Sequence, residues 1–585
     1  MASHPVAMET SSAKLSCCRW VWHRVPQTHR EELQHILSMT GPLMFSRILN
    51  YLLPFVVTMF CGRLGNEVMA GYGLASATIN VTTAAPGYGL ALACDTLVSQ
   101  TFGGKNLQRV GVILQRGVVI LLLFCLPCWA LLINAQPIFL CLGQDPDVAR
   151  IAQLYITAYL PAVPVMFLHH LQASYLQNQS ITLPQMYAAA IANVLNVATN
   201  YVFLQVLGLG VSGSAAANTL SQVYICALLF GYIRWKKLHT TTWGGWTVES
   251  LQEWGSYMNL AVPSSLMKCF EWWVYEFGSF FAGMLSEDEL AAQHAVIMVS
   301  FITYMFPLGV QAAACARVGN ALGAGDTARA IITSKLSLSV VVTIALLEGL
   351  LLSSTKTVIG FIFSSDQKII GLISNLMNVY CILQLFDGLV CVCTGIFLGS
   401  GKQKIPAVAN LIGYYGIGLP MSMVLMFVVK LRGLGYWLGL LICVCLQSTF
   451  YIIVIFKLNW KRMTEEAVKR AQKNTNTTSL STVSSNSIAD QMAHSEHDMD
   501  ADVSVSHDAR DLSSDTPCGH VAPRMERGHL STNQLLFRRG LTVCAAAAVL
   551  AVGASLHVLL PVLETPSSSR VNFTTNWINA THPPD

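Results

Sequence analysis

The chain has 585 residues, of which 53% are hydrophobic and only 11% are charged. Soluble proteins carry about 25% charged residues, so this composition excludes a soluble globular enzyme and indicates a polytopic, all-α membrane protein. The net charge of +4 is small and gives no reason to expect a nucleic-acid partner.

Apolar runs of about 20 residues, long enough to cross a bilayer as helices, follow one another along most of the chain. They predict twelve spans, at 41–60, 74–94, 117–134, 151–171, 186–206, 215–233, 258–285, 290–313, 336–355, 369–396, 405–429 and 433–456. We group them as an N-lobe (39–235), an inter-lobe loop (236–255) and a C-lobe (256–460).

The ends of the chain have a different composition. Residues 1–38 lack a continuous apolar core and are predicted to be a cytosolic segment without a signal peptide. Residues 461–540 are rich in Ser, Thr, Asp and His, which predicts a disordered cytosolic tail whose partners are unknown. The apolar run 541–563 predicts a thirteenth transmembrane helix, followed by an extracellular C-terminus at 564–585.

Basic residues are concentrated in the loops after spans 2, 6, 8 and 12, whereas acidic residues lie in the loops between. This asymmetry places the even-numbered ends and the N-terminus in the cytosol. Thirteen spans then put the C-terminus outside, where the sequons at Asn572 and Asn579 are accessible for glycosylation.

The two halves of the chain repeat a series of landmarks. With an offset of 220 residues Gly103 matches Gly323, and Asn106 matches Asp326. The landmarks occur in the same order in both halves, so we expect two six-helix bundles. Because the offset spans an even number of helices, the bundles have the same orientation in the membrane. In transporters of this architecture the substrate site lies between the bundles, near the midplane.

The stretch from Lys268 to Phe280 places two acids, Glu271 and Glu276, inside the seventh predicted span. A carboxylate within the bilayer is costly and normally carries protons, ions or ligand. The neighbouring Trp272 and Tyr275 suit an organic cation through charge pairing and cation–π contact. The alternative is structural, with the aromatics as packing residues and one Glu paired with Lys268.

Several motifs resemble those of the multidrug and toxin extrusion (MATE) family, in particular its vertebrate proton/organic cation antiporters. The resemblance covers about residues 30–460 and extends to the extra C-terminal span. The motifs are Gly62-Arg-Leu-Gly65, Cys94-Asp-Thr-Leu-Val-Ser-Gln-Thr-Phe-Gly103, Glu271-Trp-Trp and Arg317-Val-Gly-Asn-Ala-Leu-Gly-Ala-Gly325. The resemblance implies twelve helices in two lobes around a central cavity that opens alternately to either side.

The resemblance also implies site residues. Glu271 is similar to the family's main proton and cation carboxylate, and Glu276 to a second acid on the same helix. Asp387 falls where the vertebrate proteins have a functional Glu. The matching cavity residues are Trp272, Tyr275, Tyr304 and Asn80.

Departures from the family pattern affect the charge of the cavity. Met298 stands where close relatives have a further intramembrane Glu, and Arg47 and Lys268 stand where relatives have uncharged residues. These changes would make the cavity less negative and could favour zwitterionic or anionic substrates. The alternatives are that Arg47 extends to the interface and that Lys268 pairs with Glu271. Asp95 suits a gate or a helix-end pair.

The sequence therefore predicts a secondary active transporter, not an enzyme. We expect it to export small organic cations and drugs across the plasma membrane, apically in epithelia, in exchange for protons and without a cofactor or metal. The alternatives are an exporter with a shifted preference toward zwitterions or anions, a channel, and a non-transporting membrane receptor or scaffold. A membrane enzyme is disfavoured because no catalytic set or paired metal ligands stand out.

Overall fold

The computed structural model of the chain describes residues 26–364, 366–472 and 532–559, and these residues form helices joined by short connections. We number the α-helices in chain order. They are α1 Gln27–Leu64, α2 Asn66–Ile79, α3 Ala85–Gly103, α4 Leu107–Leu132, α5 Ala135–Cys141, α6 Pro146–Tyr159, α7 Ala162–Asn178, α8 Leu183–Tyr201, α9 Gly210–Trp235, α10 Trp254–Leu285, α11 Glu287–Gly323, α12 Thr327–Phe363, α13 Gln367–Ser400, α14 Lys404–Asn410, α15 Leu419–Met423, α16 Gly433–Lys457, α17 Trp460–Gln472 and α18 Thr532–Leu559.

Four short π-helical segments join or extend these helices. They are Asn80–Ala84 between α2 and α3, Val202–Val206 after α8, Leu411–Gly418 between α14 and α15, and Val424–Val428 after α15. A π-turn widens the helix by one residue and frees backbone groups, so such segments are frequent at functional sites.

Within the described residues, ten helices are long and apolar enough to cross a membrane. The pair α6–α7, bent by 54°, makes an eleventh if it is one span. Two further predicted spans correspond to the continuous run α2–α3 and to α10, which carries Lys268, Glu271 and Glu276. The run of apolar helices agrees with the predicted all-α membrane fold.

The tail prediction is wrong for residues 461–472, because α17 is a helix packed on the rest of the chain. Trp460, Met463, Ala467 and Ala471 are buried at intervals of three and four residues, which places them on one face. Helix α18 begins at Thr532, nine residues before the predicted span, and its crossing of the membrane stays a prediction. The remaining tail, 473–531, and both sequons lie outside the described residues.

Each lobe has its own apolar core. The N-lobe core runs from Leu53 to Ala261 and the C-lobe core from Val274 to Ala467, so α10 begins in one core and ends in the other. Two smaller clusters join the lobes. In one of them Met39 and Leu43 of α1 pack against alanines of α11. Helix α10 therefore crosses the seam between the lobes near its middle.

The predicted repeat is visible in the helix caps. Asn106 accepts a hydrogen bond from the backbone N–H of Arg109 at the start of α4, and Asp326 accepts the equivalent bond from Arg329 at the start of α12. These side chains satisfy a free N–H of the first helical turn, the usual role of Asn and Asp there. Residues that are equivalent by the repeat therefore cap the corresponding helices in both halves.

Two glycines bring the lobes into close backbone contact. A Cβ on Gly103 would lie 2.1 Å from the carbonyl oxygen of Asn320, and a Cβ on Gly323 would lie 1.9 Å from that of Gln100. Gln100 and Asn320 are themselves matched by the repeat offset of 220 residues. The contact is therefore reciprocal, as a pseudo-twofold axis between the lobes requires.

This contact belongs to one end of the molecule, which we call the closed end: the loops 103–107, 323–327 and 400–404 together with α17. Gln100 donates to the carbonyl of Gly399 (2.9 Å) and Thr96 donates to that of Leu398 (2.7 Å). Since α3 belongs to the N-lobe and α13 to the C-lobe, these hydrogen bonds hold the lobes together.

Two further elements reinforce the closed end. In α17, Arg470 donates to the side chain of Gln100 in the N-lobe, and Glu466 pairs with Lys402 in the C-lobe (2.8 Å). At the start of α1, Glu32 is buried and binds three C-lobe side chains. Its partners are Arg317, Arg329 and Thr333.

Candidate functional site

Glu271 lies in the middle of α10, on the buried side of the helix at the seam between the lobes. The Lys268 ammonium, only 1% exposed, donates to both carboxylate oxygens of Glu271 at 2.9 and 2.8 Å. The Tyr304 hydroxyl of α11 donates to Oε1 at 2.8 Å. Hydrogen bonds between ionised groups are the strong ones, so this carboxylate is held in one position by two helices. The predicted pairing of Lys268 with Glu271 is thus present.

Asp387 supplies a second carboxylate from α13 and is buried, with 8% exposed. It interacts electrostatically with both Glu271 and Lys268. Tyr275, on the turn of α10 after Glu271, packs against the C-lobe core and faces the same two acids. The structure therefore brings four of the predicted site residues, Glu271, Asp387, Tyr275 and Tyr304, into one cluster with Lys268.

Aromatic rings extend this cluster across the seam. The exposed Trp272 ring stacks on Tyr88 of α3, with centroids 6.0 Å apart and an interplanar angle of 16°. The Arg47 guanidinium lies 6.0 Å from the centroid of the same Tyr88 ring, and the His170 ring is tilted against it with the centroids 5.1 Å apart. A flat cation entering here would meet aromatic faces contributed by both lobes.

Asn80 and Glu276 lie at the margin of the cluster. Asn80 is exposed and begins the π-helical segment before α3. In that segment the backbone carbonyl of Val81 accepts a hydrogen bond from the Trp273 indole at 3.2 Å, which joins α10 to the N-lobe. Glu276 is exposed, and its charge acts on Tyr436 of α16.

Asp95 occupies a separate polar site within the N-lobe. Its Oδ1 accepts hydrogen bonds from the side-chain amides of Gln177 (2.9 Å) and Asn178 (2.7 Å), and the charge of Arg47 acts on it from α1. Asp95 lies two turns before the end of α3 and is buried. Its partner Asn178 is the last residue of α7, and the predicted alternatives of a helix-end pair and a gate both stay hypotheses.

One member of the site, Tyr88, was not found from the sequence, whereas Met298 was noted there as a departure from the family pattern. Tyr88 was missed because nothing in its spacing places it opposite a tryptophan 184 positions further along the chain. Met298 contacts the N-lobe, since the Tyr51 hydroxyl lies 3.3 Å from its sulfur. The position that lacks the family's acid thus lies at the seam.

Two helical lobes of equal orientation, with buried carboxylates and aromatics at their seam, define an alternating-access membrane transporter. Comparison with known proteins specifies the family. The MatE family model matches residues 42–202 and 263–424, one stretch in each lobe, and their starts lie 221 residues apart. The chain is 44% identical over 569 residues to multidrug and toxin extrusion protein 1 of Danio rerio, covering 94% of this chain and 95% of the relative.

Other relatives agree. Multidrug and toxin extrusion protein 2 of Mus musculus is 48% identical over 442 residues, covering 76% of this chain and 77% of the relative. The solved eukaryotic MATE transporter AtDTX14 superimposes with a TM-score of 0.73 and 26% identity, over 76% of this chain and all of the other. The Vibrio cholerae MATE transporter VcmN in its bent form, 16% identical with a TM-score of 0.65, shares the fold over 76% of this chain and 99% of the other.

This chain belongs to the MATE family. It is therefore a secondary transporter and not an enzyme, and family membership also decides against the receptor or scaffold alternative.

Proposed function

We propose that this protein exports organic cations and drugs across the plasma membrane in exchange for protons, by alternating access of its two lobes. The observation that carries the proposal is the cluster around Glu271. Two buried carboxylates and an aromatic pair meet at the seam, where a substrate is reached from either side in turn. The names of the relatives, multidrug and toxin extrusion proteins 1 and 2, support the choice of substrate class.

Competition for the carboxylates would couple the two fluxes. In the deprotonated state the acids attract a cation, and Trp272 and Tyr88 offer it aromatic faces. Protonation of an acid removes its charge, and the cation then loses its partner and leaves. A difference of one pH unit across the membrane is worth about 1.4 kcal/mol, so it can concentrate a monovalent cation roughly tenfold in a one-for-one exchange.

The closed end corresponds to the side predicted as cytosolic from the distribution of basic residues. In this assignment the molecule is closed toward the cytosol, as we expect for the state from which cation is released and protons are taken up. The same topology gives a cytosolic N-terminus and an extracellular C-terminus, and apical placement in epithelia would suit an exporter that clears cations from cells.

Uptake of labelled tetraethylammonium into membrane vesicles that are acidic inside and neutral outside tests the proposal. We expect uptake to depend on the gradient and to saturate, which a channel would not show. Glu271→Gln is expected to reduce gradient-driven uptake at least 100-fold, because the exchangeable charge is lost while the shape is kept.

Glu348→Gln is the matched control for this experiment. Glu348 is an acid inside the α12 span but outside the cluster, so its amide variant should retain uptake. Uptake that survives in Glu271→Gln, at equal amounts of inserted protein, would contradict the role of Glu271.

A further inference from the structure

The cluster is unusual because a positively charged side chain, Lys268, lies inside a site that we propose binds a cation. The Lys268 ammonium is fully enclosed and contacts both oxygens of Glu271 from three residues away on the same helix. Because both groups belong to α10, their contact does not depend on how the lobes are arranged. Lys268 therefore accompanies Glu271 whichever way the site faces.

The charges that face this pair can be counted element by element. Helix α13 contributes the Asp387 carboxylate and the Cys391 thiol, and α11 contributes the Tyr304 hydroxyl. The segment after α14 contributes Tyr414. Phenols and thiols are uncharged at neutral pH. Two acids and one base remain, which gives a net charge of −1 when both acids are ionised.

The remaining charges near the seam form a separate pair. The charge of Arg47 acts on the Asp95 carboxylate of the N-lobe and is not among the charges that act on Asp387. Glu276 is exposed, and its charge acts on Tyr436. Neither group changes the count at the Glu271–Asp387 site.

We propose that Lys268 is a built-in counter-ion that determines the valence of the substrate: it leaves one uncompensated negative charge, so that the site accepts one monovalent organic cation. This inference rests on the proposed function. A monovalent cation brings the site to neutrality, with Lys268 and the substrate opposite two carboxylates. A divalent cation would leave one positive charge buried without a partner, which is strongly unfavourable in a site shielded from water.

The prediction concerns the ratio of kcat/KM for a monocation and a dication of similar aromatic or alkyl character. Tetraethylammonium and 1,1′-dimethyl-4,4′-bipyridinium are suitable probes. We expect the native protein to prefer the monocation at least tenfold, and Lys268→Met to shift this ratio toward the dication by at least tenfold. Lys268→Arg keeps the charge and should retain the native ratio.

A double variant distinguishes the effect of net charge at the site from a local structural disturbance caused by Lys268→Met. Lys268→Met combined with Asp387→Asn restores a net charge of −1 while Glu271 is kept, so it should return the ratio toward that of the native protein. If Lys268→Met inserts and folds but keeps the native ratio, the proposal is wrong.

The native protein offers a measurement that does not depend on the variants. The pH gradient that just balances a known tetraethylammonium gradient gives the number of protons exchanged per cation. One proton per cation agrees with a single uncompensated charge, and two would overturn the proposal. Absence of gradient-driven uptake of either probe in the native protein would instead contradict the proposed function itself.

Discussion

Two buried carboxylates, Glu271 and Asp95, lie near the seam of this transporter in different surroundings. Glu271 is bound by an ammonium and a phenol, and a second acid lies beside it. Asp95 is held by two side-chain amides. We interpret the surroundings of Glu271 as a site where a proton and a cation can be exchanged. Asp95, in contrast, fixes the side chains of Gln177 and Asn178 in position.

Asp95 provides a test of that distinction. In Asp95→Ala the side-chain amide of Gln177 loses its acceptor and that of Asn178 keeps only Ser174, and a buried unsatisfied group costs about 1–3 kcal/mol. We therefore expect a clear loss of thermal stability of the purified protein. Asp95→Asn should be much milder, because its amide can donate to the side-chain oxygens of Gln177 and Asn178, which are buried without partners.

Thermal unfolding in detergent or nanodiscs measures this difference. Equal stability of Asp95→Ala and the native protein would contradict the structural role. A stable Asp95→Asn that has lost transport would instead support a direct part in gating.

At the residue level the sequence was sufficient to predict a contact between side chains of the same helix. The spacing of Lys268 and Glu271 was sufficient to propose their pairing, because residues three apart share a helical face. The stacking of Trp272 on Tyr88 and the bond from Tyr304 to Glu271 depend on how α3 and α11 pack against α10. Those contacts join residues far apart in the chain, and no local pattern encodes them.

Among the elements, α17 has the most direct consequence for the conformational cycle. It contacts Gln100 and Asn106 of the N-lobe and Lys402 of the C-lobe. If the closed end opens during transport, these contacts cannot all persist, so α17 stabilises the closed arrangement.

Arg470→Ala tests this role. It removes the bond to Gln100 and the pair with Glu466, and a hydrogen bond to a charged group contributes about 1.5–3 kcal/mol. We expect the population in which this end is open to rise about tenfold or more. Spin labels at the exposed positions Lys105 and Lys404 would report it as a longer distance between the lobes. Lys469→Ala, on the exposed face of the same helix, should leave the distance unchanged.

Glu466 of α17 does not make the closed end sensitive to pH near neutrality. Bonding to Lys402 lowers the pKa of Glu466 below its ordinary value of 4.5. A lowered pKa in the folded state means that the stabilisation is complete above that ordinary value and is lost only as the pH falls further. Between pH 5 and 8 the distance between the spin labels should therefore not change through Glu466.

Helix α17 also explains where sequence reasoning failed among the elements. Long apolar runs identify membrane helices because their apolar composition and length are sufficient to place them in the bilayer. The buried face of α17 has only four apolar residues in a charged background, and the helix packs against a surface assembled from both lobes. Isolated helices of this length are marginal in water.

For the whole molecule the decisive feature is the reciprocal contact at the closed end, in which Gly103 lies against Asn320 and Gly323 lies against Gln100. Each glycine lies against the backbone of the other lobe, and backbone cannot move aside as a side chain can. Alanine at either position should force the lobes apart at the closed end. Because the two sites are equivalent by the repeat, we expect similar effects.

Gly103→Ala and Gly323→Ala can be compared with Gly371→Ala, where an added Cβ meets nothing within 4 Å. The first two should lengthen the distance between labels at Lys105 and Lys404, and the third should not. An unchanged distance in both of the first variants would show that the contact can relax without separating the lobes.

The repeat itself was predictable from the sequence because caps and close contacts need particular residues, as Asn106, Asp326, Gly103 and Gly323 illustrate. Which end is closed was not predictable. That depends on the balance of many contacts across the seam, and both arrangements use the same helices.

The pairing of Lys268 with Glu271 also bears on how the protein is made. Single charged residues at the centre of a helix cost about 2.5–3.5 kcal/mol each when a nascent segment partitions into the bilayer. A pair three residues apart on α10 can neutralise itself before any neighbouring helix has arrived. This segment can therefore leave the translocation machinery with its carboxylate already paired. In a chain that lacks the lysine, the carboxylate would be isolated in lipid until Tyr304 of α11 arrives to donate a hydrogen bond to it.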